Sequence, residues 1–368
     1  MSRTLIPVSA IKGRGVASAP AHRFAQDVRE AVDDGWGTND LAPDDAAQGA
    51  ANATPWQTEV SFEDARSVIS HNTSPDIYFE ASINPYRGCE HGCVYCYARP
   101  THSYLGLSPG LDFEARLVAK RNIASVLRAE LQRPSYRPSS LALGTVTDCY
   151  QPIERDLRLT RAVIELLAEC NHPFGVVTKS SGIERDLDLI APLAARRLAV
   201  AYITITTLDA ELARRLEPRA ASPARRLRTI ATLTAHGVPV GVSVAPQIPF
   251  INDDMEQVLE AAWSAGARSA FYTVLRLPWE VAPLFREWLS LHYPDRAQRV
   301  MARVQEMRGG KDYNSSFATR MKGEGIWADL IHQRFSKACH RLGFNRERVE
   351  LDLNAFRPPS DIGQRDLF

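Results

Sequence analysis

Cysteine is scarce in this chain of 368 residues: there are six, and three of them are scattered singly. So few thiols in so long a chain exclude a disulfide-stapled scaffold, which crowds its cysteines into a small secreted domain. No apolar run approaches the ~20 residues that a membrane span needs. The start, Met1-Ser-Arg-Thr-Leu-Ile, lacks the apolar stretch of a signal peptide. The sequence therefore predicts a cytoplasmic protein with reduced thiols and no membrane partner. Net charge is also scarce. A formal charge of +1 makes no global electrostatic case for nucleic acid. Lysine is sparse and arginine supplies most of the positive charge, a bias that composition alone does not turn into a phosphate-binding surface.

With 45% hydrophobic residues the chain can bury one large core, or one core and an appendage. Residues 1–75 read as an N-terminal extension. Asp33 to Thr54 is rich in Asp, Ala, Gly and Asn and poor in large apolar residues, so much of the extension is expected to be loose or wrapped over the surface. Over 76–280 short apolar runs alternate with helical ones. The strands expected are Leu141–Thr147, Phe174–Thr178, Ala199–Thr206, Val238–Val244 and Ala270–Leu275, with another near Ile77–Ile83. The helices expected between them are Leu159–Glu169, Asp186–Arg197, Asp209–Leu216, Ser222–His236 and Met255–Ala265. That alternation predicts an α/β fold of βαβ units around a parallel sheet, with six units making a partial barrel. Over 281–368 the strands stop. Helices at Ala282–Leu289, Arg296–Met307 and Trp327–Leu342 are expected to cap the open edge of the sheet.

The densest chemical signal is Asn84-Pro-Tyr-Arg-Gly-Cys-Glu-His-Gly-Cys-Val-Tyr-Cys-Tyr. Cys89, Cys93 and Cys96 are spaced C-x3-C-x2-C, and Gly88 and Gly92 let the loop turn tightly. Three thiolates aimed from one loop suit three corners of a [4Fe-4S] cubane and leave the fourth iron open for a bound molecule. A structural zinc site usually wants four ligands in paired knuckles. Either His91 or His102 is available to complete a Cys3His site, so zinc stays an alternative at this point.

This window resembles the signature of the radical S-adenosylmethionine (SAM) superfamily. The phrases Ser74-Pro-Asp-Ile, Ala98-Arg-Pro-Thr-His, Thr147-Asp-Cys-Tyr-Gln-Pro-Ile-Glu and Glu217-Pro-Arg-Ala resemble its DNA-repair-photolyase-like branch, related to spore photoproduct lyase. The resemblance implies a partial (β/α)6 barrel carrying an N-terminal extension and a C-terminal helical cap. It also implies a [4Fe-4S] cluster, SAM as cofactor, and an electron donor of the flavodoxin or ferredoxin kind. The activity implied is reductive cleavage of SAM to a 5′-deoxyadenosyl radical, acting on a nucleic-acid lesion or nucleotide. The alternatives are the same chemistry on a small metabolite or protein side chain, and a metal- or cluster-binding protein without turnover.

In parallel barrels the reactive groups collect at the carboxyl ends of the strands. Lys179 there suits the SAM carboxylate, as a lysine at the corresponding strand end does in the lyase. Asp148 suits the SAM ammonium or ribose, and Thr204 and Thr206 share one strand face toward the ribose or amino group. The superfamily places an aromatic against adenine where Tyr95 stands. Tyr97 matches a tyrosine that relays a hydrogen atom in the lyase, and is the candidate catalytic residue. The cysteine donor of that enzyme aligns with Thr145, whereas Cys149 lies four residues on, which argues against thymine-dimer reversal. Glu217 and Arg219 are expected to pair with each other or with neighbours. Arg225, Arg226 and Arg228 are expected to form a solvated helix face. Gln364-Arg-Asp-Leu-Phe368 resembles a motif that docks onto the DNA sliding clamp, with Leu367 and Phe368 as apolar anchors and Gln364 as the polar contact.

Overall fold

The computed structural model describes residues 8–26, 57–347 and 349–360. Six parallel strands form the central sheet in chain order: β3 (Ala81–Ile83), β6 (Leu141–Leu143), β7 (Phe174–Thr178), β8 (Ala199–Thr204), β9 (Val240–Gln247) and β10 (Ser269–Val274). β2 (Ile69–His71) adds an antiparallel strand beside β3. The sheet stays open between β2 and β10, so the barrel is partial, as expected. Helices Leu159–Glu169, Leu187–Ala195, Ala210–Leu216, Pro223–Ala235 and Met255–Ser264 alternate with the strands. Strand residues such as Phe174, Val176, Ile203, Val242 and Val244 meet Ile164, Leu167, Ile230, Leu233 and Leu259 in one continuous core.

Local chemistry fixes the helix starts. Asp209 accepts from the backbone N–H groups of Glu211 and Leu212, and Ser222 accepts from that of Arg225, with Pro223 at the first helical position. β6 is shorter than its apolar run suggests. Beyond Leu143 the backbone N–H of Val146 bonds the side-chain oxygen of Asn84 at 2.9 Å, so side-chain bonding replaces the strand ladder there.

A second sheet was not foreseen. In it β5 (Arg116–Lys120) lies between β1 (Glu59–Glu63), parallel to it, and β4 (Tyr86–Arg87), antiparallel. Helices Leu111–Ala115 and Ile123–Leu131 flank β5 in the chain.

The C-terminal helices Val281–His292, Pro294–Glu306 and Gly325–Leu342 cover the β10 side. The edge strand is closed by side-chain and loop groups. The Asn345 amide accepts from the N–H of Ala270 and donates to its carbonyl, at 2.8 and 2.9 Å. The N–H of Val274 donates to Met321 O at 2.9 Å. Buried Arg308 donates to the carbonyls of Leu275, Thr319 and Arg320. Residues 352–360 then run back beneath the barrel. Asp352 N bonds Arg197 O, Arg357 N bonds Cys170 O, and the carbonyls of Pro359 and Ser360 accept from Gln132 and Arg128. These partners precede β8, β7 and β6, so the segment crosses the amino ends of three strands.

The extension divides. Residues 8–26 pack on the domain, with Arg14 and Val16 buried, while the Asp33–Thr54 stretch lies outside the described residues. Among the described residues no helix is long and apolar enough to cross a membrane.

Candidate active site

The cysteine loop follows β3 and β4 at the carboxyl end of the sheet. Its backbone is tied locally by Gly92 N to Cys89 O (3.3 Å) and Cys96 N to Cys93 O (3.2 Å). It is tied to its surroundings by Cys89 N to Phe113 O (2.8 Å) and Val94 N to Leu216 O (3.1 Å). Gly92 has φ +67°, a left-handed conformation that favours glycine. Gly15 of the N-terminal segment lies so close that a Cβ on it would stand 1.6 Å from Gly92 O. Only a bare backbone fits at this crossing.

Several residues that brace the loop went unmarked in the sequence. Arg99 is fully buried and donates from Nε to Cys93 O, from Nη1 to Gly110 O, and from Nη2 to Glu114. Glu114 also accepts from the N–H groups of Gly15 and Val16, at 3.0 and 3.2 Å. Gln151 accepts from Glu90 N and donates to Gly88 O, and Glu90 pairs with Arg219 at 2.9 Å. The motif phrases around Arg99 and Gln151 thus hold the loop's shape. Periodicity gives no sign of such residues, because many of their partners lie 61 or more positions away.

Cys89 and Cys93 are buried and Cys96 is partly exposed. Burial pushes the Cys93 thiol up to about 12, against the pull of Lys179. A cluster would reverse that preference, because metal ligation requires the thiolate. Three thiols carried on one short loop are ligands of the kind an iron–sulfur cluster takes.

Across from Cys93 a buried network joins four predicted or neighbouring residues. Glu217 accepts from the hydroxyls of Tyr95 and Thr206 and from Arg226. Burial opposes ionisation of Glu217, but Arg226 and Lys179 more than offset it and bring its pKa down to about 2. Arg226 is 1% exposed and also donates to Thr204 O. This corrects the expectation of a wet face for the Arg225 to Arg228 run: one turn of that helix is amphipathic in the opposite sense, with Arg226 drawn inward by Glu217. Arg225 instead pairs with Glu184 near the surface. Glu217 and Arg219 do not pair with each other.

Lys179 sits with Nζ 5.8 Å from the centre of the Tyr95 ring. Burial works against its charge, yet Cys93 and Glu217 hold its pKa above the ordinary lysine value. Asp148 is engaged within the protein. It accepts from Thr178 Oγ1, Lys179 N and Tyr150 N, at 2.7, 2.7 and 2.9 Å. His91 Nδ1 lies 3.2 Å from Asp148 Oδ2 but is too poorly aligned to count as a hydrogen bond. Burial opposes the Asp148 charge too, and His91 with these donors keeps its pKa well below the usual carboxylate range. Tyr97 is 45% exposed on the mouth, and its hydroxyl donates to Thr145 O. Cys149 is fully buried in the main core, with its sulfur packed against Gly144 and not open to the mouth. Cys170 and Cys339 are likewise buried away from the loop. A cavity of about 490 Å³ lies beside the loop, walled by His91, Ser180, Arg185 and Arg219. Gln364, Leu367 and Phe368 lie outside the described residues.

Residues 83–262 match the Radical SAM superfamily. Uncharacterized proteins of Mycobacterium tuberculosis and Mycobacterium bovis are 38% identical over 224 residues, which cover 60% of this chain and 66% of each relative. An uncharacterized protein of Methanocaldococcus jannaschii is 25% identical over 213 residues, 58% of this chain and 76% of its own. Among solved structures, a spore photoproduct lyase double mutant with bound AdoMet and dinucleoside spore photoproduct aligns with a TM-score of 0.50 at 15% identity. The alignment covers 77% of this chain and 80% of that one. That likeness is one of fold.

Proposed function

We propose that this chain, whose residues 83–262 match the Radical SAM superfamily, is a radical SAM enzyme acting on a nucleotide or nucleic-acid lesion. The observation that carries the reading is the loop of Cys89, Cys93 and Cys96, two of its thiols buried, at the carboxyl end of six parallel strands, with Lys179 Nζ 5.8 Å from the centre of the Tyr95 ring in that loop. When bound, a [4Fe-4S] cluster and SAM together supply one-electron cleavage of SAM to methionine and a 5′-deoxyadenosyl radical. The three cysteines hold the cluster. Lys179 offers a charged donor to the SAM carboxylate, and the Tyr95 ring is the packing surface for adenine. The hydroxyl of Thr206 and the oxygens of Asp148 already have protein partners, so their part is to hold Tyr95 and Lys179 in position; Thr204, at the end of β8, contributes through its carbonyl, which accepts from Arg226. Tyr97, exposed at the mouth, is placed for hydrogen-atom relay. Thr145 aligns with the cysteine donor of the lyase and Cys149 is buried, which argues against thymine-dimer reversal.

Anaerobic reconstitution followed by dithionite tests the reading. Cluster absorption and release of 5′-deoxyadenosine are expected, with deuterium transferred into it from a deuterated substrate. Intact SAM throughout would leave a binding protein instead. In the cell a flavodoxin- or ferredoxin-like donor takes the place of dithionite, and a cytoplasmic setting supplies it. Lys179→Ala is expected to weaken SAM binding by roughly one to two orders of magnitude, the worth of one charge-assisted hydrogen bond at about 1.5–3 kcal/mol, with the cluster spectrum kept. Unaltered affinity in equilibrium dialysis would reassign Lys179 to structure.

The clamp-like tail would link the enzyme to DNA. A labelled peptide spanning residues 359–368 is expected to bind purified sliding clamp saturably, and to lose binding when Leu367 and Phe368 are both replaced by Ala. No binding by peptide or full chain removes the clamp as a partner.

A further inference from the structure

Arg276 leaves the carboxyl end of β10 and brings its guanidinium 4.8 Å above the ring of Tyr97. A guanidinium has five N–H donors and stays charged in a protein. Here, among the described residues, Nη1 meets only the Met321 sulfur at 3.5 Å, and Nη2 only the Tyr313 hydroxyl at 3.4 Å. Nε is buried with no acceptor. The carboxylate within electrostatic reach is Asp76, whose two oxygens are already taken by Arg320 at 2.5 and 2.6 Å. Two guanidiniums therefore share one carboxylate.

The contrast with nearby arginines is informative. Arg99 and Arg226 are more deeply buried, and each spends its donors on carbonyls and a carboxylate. Arg276 is partly buried without that compensation, which costs free energy unless something else supplies the acceptors. Two aromatic rings stand with it on the rim. Tyr97 is 45% exposed, and Phe317, beneath Arg320 at 4.6 Å, is 50% exposed. Arginines alternating with exposed rings suit a phosphate flanked by a base: the fork matches phosphate oxygens and the rings offer stacking faces.

We propose that Arg276 is the substrate-side phosphate site, binding the phosphate of a nucleotide at the rim that Tyr97 and Phe317 form. This rests on the radical SAM reading, in which the mouth beside Tyr97 receives substrate. Lys179 and Arg276 then divide the mouth, one cation for the cofactor and one for the substrate.

The test uses full-length, anaerobically reconstituted protein and a short fluorescein-labelled oligothymidylate followed by anisotropy. Arg276→Gln is expected to weaken binding about tenfold or more and to reduce the salt dependence by roughly one phosphate contact, with iron content unchanged. Arg276→Lys keeps the charge but loses the fork, and is expected to fall between the two. Arg286→Gln, at an exposed pair with Asp312, should bind like wild type. Competition by thymidine monophosphate but not thymidine would mark a free nucleotide as the phosphate source. Competition by unlabelled strand alone would mark a nucleic acid. The proposal is overturned if wild type binds neither strand nor monophosphate, if Arg276→Lys and Arg276→Gln both bind like wild type, or if Arg286→Gln loses as much as Arg276→Gln. Release of 5′-deoxyadenosine by wild type under dithionite is read separately, so failure of the phosphate site and failure of the radical reading give different results.

Discussion

Replacing any one of Cys89, Cys93 or Cys96 by Ala is expected to abolish SAM cleavage, with 5′-deoxyadenosine falling below detection. Each thiolate is assigned to a different iron, so the loss of one leaves a corner that no neighbouring group can fill. Of the neighbouring histidines, His91 lies against Asp148 and His102 holds Arg116 O through Nε2 at 2.9 Å. Iron content after reconstitution should fall with activity. Cys170→Ala and Cys339→Ala remove small buried side chains that pack in the main core, so they should keep both iron and turnover and lose only a little stability. Full iron and normal SAM turnover in Cys89→Ala would sink the cluster assignment.

Glu114→Ala is expected to destabilise the protein by about 3–5 kcal/mol, the usual result of stranding one partner of a buried ion pair. Arg99 would be left charged with no carboxylate, and the N–H groups of Gly15 and Val16 would lose their acceptor. The N-terminal segment should then lift from the cysteine loop. Thermal unfolding and limited trypsin digestion read these effects separately, since Arg14 and Arg23 become accessible when the segment is released. Glu114→Gln keeps acceptor oxygen but not charge, and should fall between. A Glu114→Ala protein with wild-type melting and an uncut segment would show that Arg99 finds other partners and that the docking does not depend on this carboxylate.

The parallel sheet and its helices were legible because their signal is local. Leu159–Glu169 and Phe174–Thr178 have the bounds that the apolar pattern expects, and the caps at Asp209 and Ser222 are written beside the helices they start. The cysteine loop was legible for the same reason. The three-stranded sheet was not, because β4 has two residues and β1 alternates polar and apolar positions with little burial. Its pairing depends on partners far along the chain. The site divides in the same way. Lys179 and Tyr97 stand at the mouth as their strand-end and motif positions imply. Thr206 and Asp148 could be named but not their hydrogen-bond partners, which come from Glu217, Tyr95 and Thr178. Arg226 is not legible because a helix charge run says nothing of which member meets a buried carboxylate. Arg276 is not legible because a lone arginine after a strand carries no local sign of how few acceptors surround it.

The segment 352–360 ties the loops ahead of β8, β7 and β6 at the end of the sheet away from the cysteines. In mechanical terms it is a strap across the feet of three adjacent staves. Tension in such a strap resists their splaying at the foot while leaving the opposite rim free to admit a bulky guest.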